Sequence, residues 1–290
     1  MVLNCIAEQP LRLSLLLKRQ LHMSAGLINR AKWQGQILVN GIPRHTDFVP
    51  CVGDAVTVQI PEPEICYPAE PGALTVLYED DALLAVDKPA GMLIHPSRAT
   101  VTGTLANRVA AYYQSTGQNC AFHPLTRLDR DTYGIVLLAK NAHIHAVMSE
   151  LHRQGAFRKT YHALTFGAPK DDSGVIDAPI ARRPLPSLLR YVNQDGKPSR
   201  TQYTVLCRGS GWAKLALIPV TGRTHQLRVH CAYMGCPILG DPQYASGESA
   251  AFSRQLGMTA QALCAKELSL PHPVTGEQMT LTSRMDVPEL

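Results

Sequence analysis

Apolar residues recur at helical spacing near the start of the chain and at strand spacing further on. Four leucines predict a first amphipathic helix: Leu13, Leu16, Leu17 and Leu21. Ser24 is suited to cap a second short helix that runs to Lys32. Residues 37–41 and 55–60 are strand-like and are expected to pair, with a turn at Asn40-Gly41.

Residues 61–72 interrupt both patterns. They contain four prolines and a glycine, with neither helical nor strand spacing, which is typical of a stiff linker. We therefore predict a small module over residues 1–62, a proline-rich linker over 63–73 and a larger domain over 74–290.

Beyond the linker, six apolar runs predict strands: Leu74 to Tyr78, Ala82 to Val86, Ile135 to Lys140, Arg158 to Phe166, Thr201 to Arg208 and Ala213 to Ile218. Helices are predicted over Thr104 to Tyr113 and Ala142 to Gln154, the second ended by Gly155. Because neighbouring strand runs are joined by short turns, the expected fold class is α+β. The larger domain should contain a mixed, largely antiparallel sheet with flanking helices, preceded by a small α/β module.

Composition and charge narrow the possible classes of protein. The chain has 290 residues, of which 45% are hydrophobic and 18% charged, as in a folded protein. Its formal charge of +5 permits an anionic partner without requiring one. The eight cysteines lack zinc-type spacing, so no metal is expected. Since the chain shows neither a signal peptide nor a bilayer-spanning apolar run, we expect a cytoplasmic protein that does not enter a membrane.

The polar loop T-R-L-D-R-D-T-Y-G, residues 126–134, leads directly into an apolar strand. Such a loop can hold a side chain rigidly at the edge of a cleft. It contains Asp129 and Asp131, which share a face only if the backbone is extended, so a pair of cooperating carboxylates does not follow. Taken alone, an exposed turn with a weak arginine and aspartate pair is the commoner explanation of such a loop.

A second stretch, T-G-R-T-H-Q-L-R-V-H-C-A-Y-M-G at residues 221–235, has helical spacing if the helix starts at Thr224. Its apolar stripe would be Leu227, Cys231 and Met234. His225 and Arg228 would share another face. An arginine held on a packed helix can pair bidentately with a carboxylate or a phosphate. The alternative is a surface helix with solvated charges.

Two further stretches carry candidate binding residues. In F-R-K-T-Y-H-A-L, residues 157–164, Tyr161 is either a core residue or a stacking surface for a base. In L-A-V-D-K-P-A-G, residues 84–91, Lys88 precedes a rigid turn that would present a cation to a phosphate. A solvent-exposed turn lysine is the alternative there.

These stretches, in this order, resemble the RluA-type family of RNA pseudouridine synthases. The resemblance spans roughly residues 74–290 and also includes P-I-L-G-D-P-Q-Y at 237–244 and a closing strand at 262–273. Several motifs in a fixed order are far more specific than any one of them. Residues 11–60 are similar to the small RNA-binding module of a small-subunit ribosomal protein.

The resemblance implies a role for each candidate residue. Asp129 is the expected catalytic aspartate, Arg228 pairs with it, and Tyr161 stacks on the target uracil. Arg127 is expected to shape the catalytic loop. The expected substrate-binding residues are Arg127, Tyr161, Arg223, Arg228 and Lys88.

Four positions depart from the family's pattern. In the catalytic loop, Thr126 replaces a common histidine and Tyr133 a usual serine. Cys264 stands for a histidine in the closing strand, and Ala25 for an arginine in the small module. We expect the two loop changes to alter how the nucleotide is held without touching Asp129.

The expected function is therefore conversion of uridines in folded RNA to pseudouridine, without a cofactor. The reaction is an isomerisation with no redox change, so an ionised and desolvated carboxylate nucleophile is sufficient. The target nucleotide must leave its stack to reach the carboxylate. The sequence leaves open whether Asp129 attacks the sugar or the base. The basic module favours ribosomal RNA over transfer RNA, and no obligate protein partner is expected.

Two alternatives stay open at this level. A glycosidic-bond hydrolase would use Asp129 and Asp131 as an acid and base pair and would release free base. A non-catalytic RNA-binding protein would keep the scaffold alone, although the intact R-L-D and arginine motifs weaken this possibility.

Overall fold

The computed structural model describes residues 2–60, 67–97, 100–184, 186–187 and 189–290. Residues 61–66, which include the start of the predicted linker at 63–73, therefore lie outside the described residues. The strands are β1 Val2–Ile6, β2 Gln36–Val39, β3 Ile42–Pro43, β4 Ala55–Gln59, β5 Thr75–Glu79, β6 Leu83–Lys88, β7 His123–Pro124, β8 Tyr133–Ala139, β9 Arg158–Phe166, β10 Ser173–Asp177, β11 Ile180–Arg182, β12 Arg190–Val192, β13 Arg200–Gly209, β14 Trp212–Pro219, β15 Leu263–Pro271 and β16 Gln278–Thr282. The helices are α1 Leu13–Arg19, α2 Ala25–Gln34, α3 Leu105–Ser115, α4 Ala142–Arg153, α5 Gln226–Tyr233 and α6 Gly247–Gln255.

The N-terminal elements form a small unit with its own core. The sheet order is β1-β4-β2-β3, and α1 and α2 bury their leucines against it. The predicted strand pairing is confirmed, since Ile37 lies opposite Val58. Asn40 and Gly41 both have positive φ, 51° and 79°, as a type I′ turn requires. Strand β1 was not predicted, although four of its five residues, Val2, Leu3, Cys5 and Ile6, are apolar.

The two predicted N-terminal helices are present with small differences at their ends. Helix α1 ends at Arg19, so Leu21 lies just beyond it. The Ser24 hydroxyl accepts a hydrogen bond from the Leu27 amide at 3.2 Å and begins α2 as predicted. Ala142, at the start of α4, packs against this core, so the small unit contacts the rest of the chain.

A ten-stranded sheet organises the remainder, and its main order is β10-β13-β14-β9-β15-β8-β6-β5. Strand β16 pairs with β15, and β7 pairs with β8. Most neighbours are antiparallel, whereas β8 and β15 run parallel where Tyr133 lies opposite Cys264. All six strands predicted beyond the linker belong to this sheet, which confirms the α+β class with a largely antiparallel sheet.

Helices α3 and α4 cover opposite faces of the middle strands. Alternate residues of β6 and β8, such as Leu84 and Val136, pack with α3. The intervening residues, such as Leu83 and Leu137, pack with α4. A strand covered on both faces needs apolar residues at every position, which accounts for the uninterrupted runs in the sequence.

Helix α6 and the short pair β11 and β12 escaped the sequence analysis. The two strands have three residues each and carry charged side chains, so their apolar pattern is too short to detect. Among the described helices, none combines the length and apolar character that a membrane span requires.

Gly134 is a position where the fold depends on glycine. Its φ is +103°, and an added Cβ would lie 2.4 Å from the Ala265 carbonyl oxygen of β15. We predict that Gly134→Ala lowers the free energy of unfolding by about 1–3 kcal/mol through backbone strain and displacement of β15. Thermal unfolding followed by circular dichroism measures this as a midpoint lower by several degrees.

Gly26→Ala is the matched control. Gly26 lies in α2, and a Cβ there would meet no atom within 4 Å. Alanine favours a helix over glycine by up to about 1 kcal/mol, so this midpoint should stay or rise. A Gly134→Ala midpoint equal to that of the wild type would contradict the packing argument.

Candidate active site

Asp129 lies in the loop between β7 and β8, and backbone contacts on several sides fix this loop. The Leu137 amide of β8 donates to the Thr126 hydroxyl at 2.9 Å, and the Leu125 amide donates to the Leu137 carbonyl at 2.8 Å. Thr132 is buried, and its hydroxyl accepts a hydrogen bond from the Gln261 amide. The loop therefore presents Asp129 from a fixed backbone, with about a third of its side chain exposed.

Lys88 holds this loop from inside the protein. Its side chain is completely buried, and Nζ donates to the carbonyls of Pro89, Met92 and Arg130 at 2.8, 2.9 and 2.8 Å. Burial lowers the pKa of Lys88 to about 8, although the nearby carboxylates of Asp131 and Asp129 act in the opposite direction. The expectation that Lys88 presents a cation to a phosphate is therefore wrong. All three ammonium protons are used by main-chain carbonyls, and one of these carbonyls, that of Arg130, belongs to the loop that carries Asp129.

Arg228, on α5, contacts Asp129 directly. Its Nη1 lies 3.2 Å from Asp129 Oδ2. The other side of the guanidinium is bound to Asp241, with Nε to Oδ2 at 2.7 Å and Nη2 to Oδ1 at 2.8 Å. Nη2 also donates to Gln243 Oε1 at 2.9 Å. Although burial opposes the charged form, Asp241 and then Asp129 raise the pKa of Arg228 above its ordinary value.

The burial of Arg228 excludes the surface helix considered above. Its side chain is only 6% exposed, and α5 is buried around most of its circumference. The predicted stripe is present, since Leu227 and Cys231 are core residues and Met234 packs against them. The helix begins at Gln226, two residues later than predicted. His225 precedes it with a left-handed φ of 58°.

His225 and Tyr244 complete the surroundings of the carboxylate. His225 Nε2 lies 3.9 Å from Asp129 Oδ2, and Nδ1 lies 2.8 Å from the Tyr244 hydroxyl. The Tyr244 ring also faces Arg228, with its centroid 4.9 Å from the guanidinium carbon. Burial lowers the pKa of His225; Asp129 opposes this shift and Arg228 adds to it. The imidazole is therefore neutral at pH 7.

Tyr161 lies on β9 beside the same carboxylate. It is half-buried and packs against the core cluster that contains Leu227. Its strand neighbours are Leu217 and Ala265. Burial, and after it the charge of Asp129, raises the pKa of the Tyr161 phenol, so the ring stays neutral. A neutral aromatic ring next to a carboxylate is suited to a planar base.

Three candidates lie outside this cluster. Arg127 is exposed, and its charge adds to the burial that lowers the pKa of His95. Arg223 is exposed, with Nε donating to the Pro198 carbonyl at 3.2 Å. Both carboxylate oxygens of Asp131 accept from the exposed Arg130 at 3.0 Å. Asp131 therefore forms the surface pair that the loop alone suggested, whereas Asp129 faces Arg228.

Sequence analysis did not assign Asp241 or Tyr244 to the site, and it named His225 only as sharing a helix face with Arg228. Asp241 and Tyr244 lie in the quoted P-I-L-G-D-P-Q-Y motif, so the order of motifs was a signal that they belong to the site. Only the fold brings that loop against α5. The departures Tyr133 and Cys264 face each other across β8 and β15 and reach the C-terminal segment, through Asp286 and Met285 carbonyls at 3.4 and 3.5 Å.

The described residues contain no group of histidine, cysteine and carboxylate side chains that could hold a metal ion. The chemistry available to the site is that of a partly exposed carboxylate beside a fixed guanidinium. A neutral imidazole and a phenol ring lie around them.

Comparisons with known proteins identify the family of the chain. A family model described as RNA pseudouridylate synthase matches residues 82–233. Uncharacterized RNA pseudouridine synthase YjbO of Bacillus subtilis (strain 168) is 36% identical over 263 residues, which cover 90% of each chain. Ribosomal large subunit pseudouridine synthase D of Nitrosomonas europaea is 37% identical over 211 residues, 72% of this chain and 61% of the relative. Among solved structures, human RNA pseudouridylate synthase domain containing 4 has a TM-score of 0.60 and 26% identity, covering 74% of this chain and 88% of that one.

The matched segment includes the loop that carries Asp129 and all of α5. The two relatives cover 90% and 72% of the chain. The chain therefore belongs to the RluA-type family of RNA pseudouridine synthases and is an isomerase that acts on RNA.

Proposed function

We propose that Asp129 is the catalytic nucleophile that isomerises selected uridines of ribosomal RNA. The observation that carries this proposal is the 3.2 Å contact between Asp129 Oδ2 and Arg228 Nη1. Arg228 is fixed by Asp241, so it stabilises the carboxylate in one position. Because about a third of the Asp129 side chain is exposed, a nucleotide can still reach it.

The chemistry needs little more than such a carboxylate. The bond between N1 of uracil and C1′ of the sugar breaks, the base turns, and a bond forms between C5 and C1′. C5 loses a proton and N1 carries one in the product, so atoms and electrons balance without an oxidant. An ionised nucleophile in a partly desolvated site meets these requirements.

Tyr161 and Arg127 are proposed to receive the nucleotide. A base that leaves its stack loses stacking energy, which an aromatic side chain can replace at about 1–3 kcal/mol per base. Tyr161 is half-buried beside Asp129 and offers such a surface. Arg127 is exposed two residues before Asp129, which suits a contact with the RNA around the extruded nucleotide.

Ribosomal RNA is the proposed substrate class. Two relatives, from Nitrosomonas europaea and Haemophilus ducreyi, carry the name ribosomal large subunit pseudouridine synthase D. Mapping pseudouridines in total RNA from cells with and without the gene tests this assignment. Loss of ribosomal sites supports it, and loss confined to transfer RNA replaces it with the other substrate.

We further propose that residues 1–62 bind RNA and that 74–290 carry the chemistry. The small unit has a separate core, and all the site residues follow the proline-rich segment. Arg19 and Lys32 are exposed on its two helices, and Lys32 Nζ lies 4.8 Å from the ring centroid of the exposed Trp33. Basic and aromatic groups together suit a nucleic acid surface.

Asp129→Asn should abolish pseudouridine formation, by at least about a thousandfold, because an amide keeps the volume but lacks the nucleophilic charge. Single-turnover conversion on RNA from gene-deleted cells measures this. Asp131→Asn is the control and should stay within tenfold of the wild type, since Asp131 pairs with the exposed Arg130. Activity of Asp129→Asn within tenfold of the wild type would reject the nucleophile.

Arg228→Lys should also lose activity, by about a hundredfold or more. A lysine keeps the charge but cannot bridge Asp241 and Asp129 with a planar fork. Arg228→Met should in addition destabilise the fold by about 3–5 kcal/mol, because Asp241 would be left buried and unpaired. Arg130→Lys is the control on an exposed arginine. A fully active Arg228→Lys would show that the paired contacts of a guanidinium are not required at this position.

The module prediction uses Arg19→Gln with Lys32→Gln in the full chain. The fall of log affinity with log salt should become shallower by about one unit per lost phosphate contact, while the rate at saturating RNA stays unchanged. Lys170→Gln with Arg254→Gln removes the same charge elsewhere and should keep the slope. Equal slopes in all three proteins would show that the module does not hold RNA, and a loss of the saturating rate would place it in the active site.

A further inference from the structure

A basic groove of about 490 Å³ lies beside the active site, between the β11 and β12 hairpin and the segment that leads into α5. Its charged lining residues are Arg182, Arg190, Lys197, Arg223 and Asp195. Four cations therefore face one carboxylate. Such a concentration of like charge in one concave surface attracts anions.

The pairing of the hairpin brings two of these cations together. Arg182 lies directly opposite Arg190 in the register of β11 and β12. Like charges at directly opposed positions destabilise a strand pair. Within the described residues, Arg182 and Lys197 form neither an ion pair nor a side-chain hydrogen bond. The fold thus gathers positive charge here and leaves part of it without an internal partner.

Main-chain contacts keep the groove in one shape. Ile180 and Lys197 exchange backbone hydrogen bonds of 3.0 and 2.9 Å. Gly196 permits this close approach, since a Cβ there would lie 2.5 Å from the carbonyl carbon of Ile180. On the opposite side, the bond from Arg223 Nε to the Pro198 carbonyl anchors the guanidinium.

Three contacts connect the groove to the proposed nucleophile. The Arg190 amide donates to the Tyr244 hydroxyl at 3.0 Å, and that hydroxyl lies 2.8 Å from His225 Nδ1. His225 Nε2 in turn lies 3.9 Å from Asp129 Oδ2. Thr224, which precedes His225, also lines the groove. The groove and the active site are therefore adjacent parts of one surface.

We propose that this groove binds the phosphodiester next to the target uridine. The inference rests on the proposed function and names a second subsite for the same substrate. A nucleotide that leaves its stack stays covalently joined to its flanking phosphates, so at least one phosphate must lie close to the active site. Arginine guanidinium groups match a phosphate with paired hydrogen bonds, and lysine adds a point charge.

Binding of uridine 3′,5′-bisphosphate and of uridine to the full chain tests the groove by calorimetry. In the wild type, the bisphosphate should bind at least about tenfold more tightly than uridine. In Arg182→Gln with Lys197→Gln, the bisphosphate should lose about tenfold, while uridine should bind as before. Lys170→Gln with Arg254→Gln removes the same charge from exposed positions elsewhere and should retain the preference.

Three results would overturn the proposal: equal wild-type affinity for both compounds, an unchanged bisphosphate affinity in the groove variant, or an equal loss in the control variant. This test does not depend on turnover. A chain that forms pseudouridine but does not prefer the bisphosphate contradicts the groove alone. A chain that binds the bisphosphate through these residues but forms no pseudouridine contradicts the proposed function.

Discussion

Arg228 lies between two carboxylates, one fully buried and one facing the cleft. Asp241 is completely buried, and its Oδ1 also accepts the amides of Gln243 and Tyr244 at 2.8 and 3.2 Å. A buried ion pair stabilises a protein only if its remaining hydrogen-bonding capacity is satisfied. The two amides satisfy that capacity at Asp241. Asp241 therefore fixes the guanidinium, and the guanidinium fixes Asp129. Without the contact between Asp241 and Arg228, the arginine that binds Asp129 would be a mobile side chain.

The loop that carries Asp129 is held by a separate set of contacts on its own side. Lys88 binds the Arg130 carbonyl, Thr126 binds the Leu137 amide of β8, and Gly134 lies against β15. A carboxylate positioned before substrate arrives need not be reorganised during the reaction. The buried ammonium of Lys88 acts on the loop through hydrogen bonds to its backbone. Lys88, which precedes a turn in the sequence, thus helps to support a loop that lies 42 positions further along the chain.

Local patterns predicted the elements better than they predicted the site. Strand β9 was predicted over its full length, Ser24 caps α2 as predicted, and the helix predicted from Thr104 begins one residue later, at Leu105. Whether Lys88 is buried or exposed depends on which carbonyls the fold brings around it, and no local pattern carries that information. No local pattern identifies the role of Asp241 either, because its partner Arg228 belongs to another element. The order of the motifs identified the segments that form the site, whereas the pairing of Arg228 with Asp241 became visible only in the three-dimensional structure.

Positive charge in this part of the molecule falls into two physically different classes. The Nε, Nη1 and Nη2 atoms of Arg228 are all occupied by Asp241, Asp129 or Gln243, so this arginine has little capacity left for a phosphate. Arg182 and Lys197 are exposed and lack such partners among the described residues. A positive charge that is neutralised inside the fold can orient a nearby carboxylate but adds little to long-range attraction. An exposed positive charge without an internal partner can attract RNA. In the proposed arrangement, Arg228 holds Asp129 in place while the groove, three contacts away, binds the negative charge of the RNA backbone.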